Sequence, residues 1–586
     1  MLKNEYSIYL YLSLININIY SNFTNNPKFK DINFLNYKYT LKFKRNFNRN
    51  KEQDIGDKNK LITKLDYIFD KNIDIGISLS KKQGEEFIFD NNTKRYFFNR
   101  YAYYINIKNL NFHNIIINNI VIGNFKIGYG QGLVFNYIDD TLNKPINITK
   151  IFKNQNGLIK SKSLKNKTFK GIGLSFNIKN ISITLFQSIN KLNAFIYNSE
   201  ILSAKTSNSI KYNTSNNLKK KDKLKQYSFG YGINYIYNNF SIGSCFVFTK
   251  YNKNFNLLNN DDFNNNIKQL DNLFKSNKHY NFSFFLNKNI NNYKFYIEYA
   301  HSLNPDKNDK NYGYCLITGF KTHLIKYLKY YFLTRYLSKK YHNFYGGCYS
   351  VKKGTVYNKF KGAPNNEVGF YNAFKIVFNT KNTLKLSSDY CLIPYHTFFF
   401  TKAFNKYYIL DFFHKISFSE LFNVQCKFNK ENYHIHYKIN EFKKIINNTI
   451  KLKLYLKKSI NNVFLTKNYI FLTLNISKNI KKDDFGFAIY EKLNYKRYKT
   501  LNITFLFLYA YAYDKAKIYI NRYEFNDKTR KFITINNHCI QLGTLINIKI
   551  YNNINLKGYY TFQYNIKKIE KTRYKNILCL NIDFYK

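Results

Sequence analysis

Gly171-Ile-Gly-Leu-Ser-Phe-Asn-Ile178, resumed after Asn180 as Ile181-Ser-Ile-Thr-Leu185, decides the fold. In an extended chain, Ile172, Leu174, Phe176 and Ile178 share one face, while Gly173, Ser175 and Asn177 share the other. Beyond Asn180 the pattern returns, with Ile181, Ile183 and Leu185 opposed by Ser182 and Thr184. Period-two alternation on both sides of a short polar break reads as a β-hairpin. The same signature recurs at 229–237, 240–248, 282–286, 295–299, 451–457, 470–477, 501–513 and 558–564. Helical spacing with caps is almost absent.

Short polar turns such as Asn238-Asn239 and 289–292 separate these segments, and longer polar stretches lie at 203–225, 252–279 and 352–366. Short turns alternating with long loops fit an outer-membrane barrel, whose strands number about 20 to 28 here if each takes roughly ten residues. So many consecutive strands with an aromatic face need a cover. A closed barrel in lipid provides one and leaves no backbone group unpaired, whereas no linker divides the chain into sandwich domains. The expected class is therefore all-β: a large antiparallel transmembrane barrel with long polar external loops. At the end of the chain, Leu578, Leu580, Ile582 and Phe584 alternate as in a terminal strand read by the barrel-insertion machinery. Residues 1–25, with Lys3 and the run from Ile8 to Ile15 set against Glu5, read as a degraded secretory signal or leader, or as a first strand. Residues 26–586 are assigned to the barrel.

Composition narrows the function classes less than it first suggests. There are 57 Tyr and 56 Phe but no Trp, only 5 Pro and 23 Gly, and a formal net charge of +58. Residues with A- and T-rich codons are inflated, the mark of a drifting genome such as that of a symbiont. Such a charge can point to nucleic acid or anionic lipid, but the lysines are spread along the chain, with runs such as 219–221 that read as loop tips. The seven Cys have no C-x-x-C pair, which argues against a zinc or redox motif. No window is long and apolar enough for a membrane-spanning helix.

The most distinctive block runs from Lys81 to Tyr137 and closes with Val121-Ile-Gly-Asn-Phe-Lys-Ile-Gly-Tyr-Gly-Gln-Gly-Leu-Val-Phe135. Its Gly128-x-Gly130-x-Gly132 cluster lacks the following helix that a nucleotide loop requires. It reads instead as a strand continuing through glycines that permit a bend or close packing. Here the chain resembles a family of large outer-membrane β-barrels of Bacteroidetes-type bacteria, labelled helix-hairpin-helix or competence-related. The block carries that family's "D-x-GE" turn as Gln83-Gly84-Glu85 and its "GqGL" strand, from Gly123 through Gly128, Gly130, Gln131 and Gly132. Further along, Arg335-Tyr-Leu-Ser resembles its "RyY" strand, Asn366-Glu367-Val-Gly369 its "NE-x-Gly" turn, and Ser388-Asp389-Tyr its "D-x-f" segment, with Tyr395 where Trp is usual. Lys517-Ile-Tyr519-Ile-Asn-Arg-Tyr-Glu524 is similar to its "RiYaYE" strand. The order agrees from about residue 60 to 565. Family members commonly carry DNA-binding helix-hairpin-helix repeats in an N-terminal segment, and none is found before Lys81.

Catalytic constellations are thin. There is no G-x-S-x-G elbow, and His434-x-His436 puts two imidazoles on one strand face without a third ligand. Glu85, Glu86, Glu367, Asp389 and Glu524 read as lumen or turn acids paired with Lys or Arg. No catalytic residue, metal or cofactor is assigned, and the chain reads as a non-enzyme. The leading expectation is a pore, transport or envelope-scaffold barrel of the bacterial outer membrane. Its partners would be outer-membrane lipid, the insertion machinery, small solutes or anions, and envelope proteins. DNA uptake or other nucleic-acid binding is the alternative, and a membrane enzyme such as a lipid hydrolase is the third reading.

Overall fold

In the computed structural model, the described residues are 36–46, 54–70, 72–87, 89–90, 95–96, 98–138, 152–153, 155–163, 168–197, 199–205, 211–255, 276–305, 310–325, 327–347, 366–379 and 382–394, and beyond these the strands named below. Residues 1–25, most of 352–366, Tyr395 and Glu524 lie outside them.

The first half of the chain forms β1 (Asn36–Asn46), β2 (Asn59–Asp70), β3 (Ile73–Lys81), the two-residue β4 (Phe89–Asp90) and β5 (Arg95–Tyr96), β6 (Arg100–Phe112), β7 (Ile115–Gly128), β8 (Gly157–Lys160), β9 (Phe169–Ile178), β10 (Ile181–Tyr197), β11 (Glu200–Lys205), β12 (Leu224–Tyr237), β13 (Phe240–Tyr251), β14 (Lys278–Ile290) and β15 (Tyr293–Pro305). The second half adds β16 (Lys310–Ile325), β17 (Leu328–Leu337), β18 (Glu367–Val377), β19 (Asn382–Ile393), β20 (Ala403–His414), β21 (Leu421–Lys438), β22 (Glu441–Ser459), β23 (Phe464–Ser477), β24 (Asp484–Arg497), β25 (Leu501–Ala512), β26 (Ile518–Tyr523), β27 (Arg530–Ile535), β28 (His538–Tyr551), β29 (Ile554–Ile566) and β30 (Arg573–Tyr585). The only helix among the described residues is α1 (Ser215–Leu218), capped by the Thr214 hydroxyl.

These strands build one 26-stranded sheet and two small hairpins, β4–β5 and β26–β27. Two members of the sheet, β8 and β11, are short pieces paired beside β7 and β10. The remaining twenty-four run antiparallel in sequence order, and β30 returns to pair with β1. The sheet is closed. Its even strand count is what an up-and-down circuit with both ends on one rim requires. The seam sets Tyr39, Leu41 and Phe43 opposite Phe584, Ile582 and Leu580, so the alternating C-terminal segment is the closing strand.

The alternation that defines the strands also sorts the two faces. On β12, Tyr227, Phe229, Tyr231, Ile233 and Tyr235 are exposed on the outside, while Gln226, Ser228 and Asn234 are buried inside. On β6 the outer face is Tyr101, Tyr103 and Ile105, and the inner face is Arg100, Ala102, Tyr104 and Asn106. In a soluble protein this would be inside out; around a barrel in lipid it is the stable arrangement.

The connections sort as well. At the rim where β1 begins and β30 ends, two-residue turns join strands at 113–114, 179–180, 238–239 and 291–292. Each turn places one residue in the left-handed region, His113, Lys179, Asn238 or Asn291, as tight hairpin loops favour. The opposite rim carries the long connections, including 129–168, 198–223, 252–277, 338–366 and 513–537.

Two expectations need correction. The strand through the glycine cluster does not continue to Phe135: β7 ends at Gly128, and the chain turns into the lumen with Gly130 at φ 52° and Gly132 at φ 91°. Two left-handed positions two residues apart take the backbone out of the extended conformation, and the ladder is not resumed after them. The Tyr519 strand exists as β26, but it pairs with β27 in a hairpin outside the barrel wall.

Candidate functional site

The lumen behind β6 to β18 holds a packed core, and most of the motif residues lie in or beside it. Its centre is the segment that leaves β7. Tyr129, Leu133, Val134 and Phe135 are almost wholly buried. Tyr129 donates its hydroxyl hydrogen to Thr184 Oγ1 on β10 (2.7 Å). The Gln131 and Leu133 amides donate to the two carboxyl oxygens of Glu298 on β15, at 2.5 and 3.1 Å. Glu298 has no exposure. Gln131 spends its side chain on Lys153, accepting from the backbone N–H at 3.0 Å. Gln155 caps the Tyr129 and Phe135 carbonyls, and its side chain also lies where a Cβ at Gly128 or Gly132 would fall.

A second inward segment follows β17. Asn343 donates through Nδ2 to the Leu133 and Val134 carbonyls (2.6 and 3.0 Å). Tyr341 donates to the Leu133 carbonyl at 2.9 Å, and the Gly347 amide donates to the Gly132 carbonyl at 2.8 Å. Tyr345 stacks on Phe169 of β9 (4.3 Å between centroids) and hydrogen-bonds Ser228 of β12. The two segments therefore interlock, and together they bridge the arc of wall from β9 to β17. Burial pushes the Tyr345 hydroxyl up to about 12 and the His342 imidazole down to about 4, so both are neutral at ordinary pH.

Two buried ion clusters brace the wall at the same long-loop end. Glu85, in the turn after β3, binds Arg100 through both oxygens (2.8 and 2.5 Å). It also accepts the Lys82 and Tyr212 amides at 2.8 Å each. Burial alone would raise its pKa, but Arg100 and these amides hold it below the usual carboxylate range. Gly84 beside it packs against Asp54, and the neighbouring Glu86 is half-buried.

The other cluster crosses three strands. Arg335 on β17 donates Nε–H to Glu367 on β18 (2.6 Å) and Nη2–H to Asp389 on β19 (2.8 Å). Register explains the spacing. Arg335 lies opposite Gly369, and the guanidinium sits where a Cβ on Gly369 would fall, 2.7 Å from Arg335 Cζ. The glycine opens the passage through which Arg335 reaches Asp389.

Of the motif residues, Gly128, Gly130, Gln131 and Gly132 meet in the lumen core; Gly84 and Glu85 form one brace, and Arg335, Glu367, Gly369 and Asp389 the other. Gly123 stays in the β7 wall against Tyr103. Tyr519 stands apart on β26, and His434 and His436 lie on β21 with only their backbone described. Sequence reasoning missed Arg100, Glu298, Tyr341 and Asn343. Glu298 had a signal, being the sole acid in the amphipathic run from Tyr293 to Pro305; Asn343 had none in so Asn-rich a chain. Among the described residues, no three His, Cys, Asp or Glu side chains gather as a metal site would, and Cys245, Cys315, Cys391, Cys539 and Cys579 are buried on wall strands.

No family model matches the chain, and no curated protein matches it. Similar solved structures are β-barrel receptors. They include the siderophore receptor PirA from Pseudomonas aeruginosa (6% identity, 94% of this chain and 80% of that chain, TM-score 0.45). A ferric enterobactin receptor (PfeA) mutant from the same organism aligns at 8% identity over 94% and 80%, TM-score 0.44. PirA from Acinetobacter baumannii aligns at 8% over 95% and 81%, TM-score 0.44. At such identities the assignment rests on the wall itself: closed, antiparallel, apolar and aromatic outside. The chain is an outer-membrane β-barrel.

Proposed function

We propose that the chain is a solute-transporting barrel whose long-loop mouth is shut by two interlocked lumen segments, 129–137 and 338–347. The observation that carries this reading is Glu298. A wall strand places a fully buried carboxyl under the backbone of an irregular segment and takes up two of its amides. Such wall-to-segment bonds give the closure a latch at one wall strand, whose loss would release the segment. The resemblance to the Bacteroidetes-type helix-hairpin-helix or competence-related barrels belongs to the same proposal. It is supported by the way five of the six short, separated motifs gather into three compact structural groups, with the Tyr519 motif apart on β26. No residue is given a catalytic role.

Planar-bilayer recording of the refolded chain tests the reading. The wild type should conduct in rare steps, and Asn343→Ala, which strips two carbonyl caps from the first segment, should open it frequently. A wild type that conducts steadily overturns the closure, and a chain that stays silent in every released variant overturns transport and leaves a scaffold role.

A further inference from the structure

Toward the short-turn rim, five adjacent strands each set a lysine on the inner face of the wall. On β15 to β19 the buried inward residues are Tyr296, Glu298, Cys315, Ile317, Tyr331, Leu333, Tyr371, Ala373 and Asp389. Lys294, Lys321, Lys329, Lys375 and Lys385 share their parity. The outer face of the same strands carries Phe295, Phe320, Tyr330, Phe374 and Leu386. Lys294 is registered opposite Lys321, Lys329 opposite Lys375, and Lys375 opposite Lys385. His323 stands opposite Lys329. Lys321 lies within electrostatic reach of Lys294, Lys329 and Lys375.

Directly opposed residues on one sheet face sit about 5 Å apart, and like charges there destabilise the sheet. At three other places on the inner wall such charge is neutralised. Asp583 pairs with Lys557, Asp66 with Lys162, and Asp74 with Lys160 and Lys108. Among the described residues, Lys294, Lys321, Lys329 and Lys375 have no carboxylate in ion-pair range. Their near neighbours are rings: Phe152 under Lys294 and Tyr331 under Lys321. At the far end of the row, Lys385 is registered opposite Asp411.

We infer that this row is a binding site for small anions bearing more than one phosphate, held inside the short-turn mouth on their way through the barrel. The inference rests on the transport reading. Four inter-strand steps of about 4.8 Å extend the row over roughly 19 Å, which suits a short chain of phosphates better than a single carboxylate. Ammonium groups bind phosphate as point charges with several donors each, and a concave low-dielectric wall concentrates anions. The row runs around the lumen rather than along it. A threading nucleic-acid strand would cross it at one point instead of following it, so the geometry favours the small solute.

The test uses the full chain folded in detergent and inorganic tripolyphosphate as the probe, titrated by calorimetry at two salt concentrations. The wild type should bind, less tightly at the higher salt. Lys329→Gln with Lys375→Gln, and separately Lys294→Gln with Lys321→Gln, should each weaken binding at least about tenfold, with folding checked by the heat-dependent gel shift. Lys220→Gln in a long-rim loop should leave it unchanged. No binding by the wild type, or equal binding by both paired variants, overturns the site. Tighter capture of a thymidine oligonucleotide, lost in the same variants, overturns the small-solute assignment. Binding without conductance would refute transport while the site stood, and conductance without binding would do the reverse.

Discussion

Replacing Glu298 with leucine removes the wall's grip on the lumen segment while keeping the side chain's bulk. The carboxyl accepts the Gln131 and Leu133 amides at 2.5 and 3.1 Å in a position with no exposure. Each stranded buried amide costs roughly 1–3 kcal/mol, so the closed arrangement should lose about 2–6 kcal/mol. Asn343, Tyr341 and Gly347 cannot compensate, because they donate to carbonyls of the segment and leave its amides alone. Taking ~3 kcal/mol at about 1.4 kcal/mol per decade, the released population rises roughly a hundredfold. Open probability in planar bilayers reads that change, and hydrogen exchange at Gln131 and Leu133 reads it independently of conduction. Glu298→Gln keeps one acceptor oxygen and should fall between. The reasoning is refuted if Glu298→Leu keeps its heat-dependent gel shift, so that the wall is intact, yet gates and exchanges like the wild type.

Acid should loosen the same closure through His342. Its folded pKa of about 4 lies below the ordinary 6.5, so the unfolded chain binds the proton first, and stability falls as pH drops from about 6.5 to about 4. The loss approaches about 3 kcal/mol at roughly 1.4 kcal/mol per unit, and His342→Phe should flatten that window in an exchange titration. Gly369→Ala puts a Cβ 2.7 Å from Arg335 Cζ and 2.6 Å from the Tyr390 carbonyl oxygen. Displacing the guanidinium from its buried partners should cost roughly 3–5 kcal/mol; a urea midpoint equal to wild type would show that Arg335 does not need the passage. Glu85, held below its ordinary pKa, contributes stability that is present above the usual carboxylate range and lost as pH falls through its lowered value. Glu85→Gln and the wild type should therefore differ in unfolding midpoint at neutral pH and converge in strong acid.

The wall was legible because lipid imposes one rule on every strand. Period two with the apolar side outward at Ile172, Leu174 and Phe176 is the same rule that places Tyr227, Phe229 and Tyr231 outside on β12. The lumen was not legible, because its irregular segments answer to partners far away in sequence. From Gly128 to Phe135 the residues alternate like a strand, and only the positive φ at Gly130 and Gly132 takes them inward. That conformation is held by Glu298, 167 residues from Gln131. Arg335, Glu367 and Asp389 could be picked out one by one, but their meeting depends on the register of three strands, which no local pattern states. The β26 segment shows the converse: its strand character was readable, and its place outside the wall was not.

Charge is where the two faces part. Lipid does not accept lysine as water does, since a lysine facing the bilayer midplane costs roughly 2–4 kcal/mol. Lysines are therefore at home in loops and on the inner wall, where water tolerates them, and an inner lysine by itself needs no explanation. What does need one is a cost the lumen does not remove. Asp66, Asp74 and Asp583 remove it for their partners. Lys294 against Lys321, and Lys329 against Lys375, retain it in direct register. An anion from solution is the partner that would remove it, and the outer aromatic face of the same strands fixes that partner's place inside the barrel.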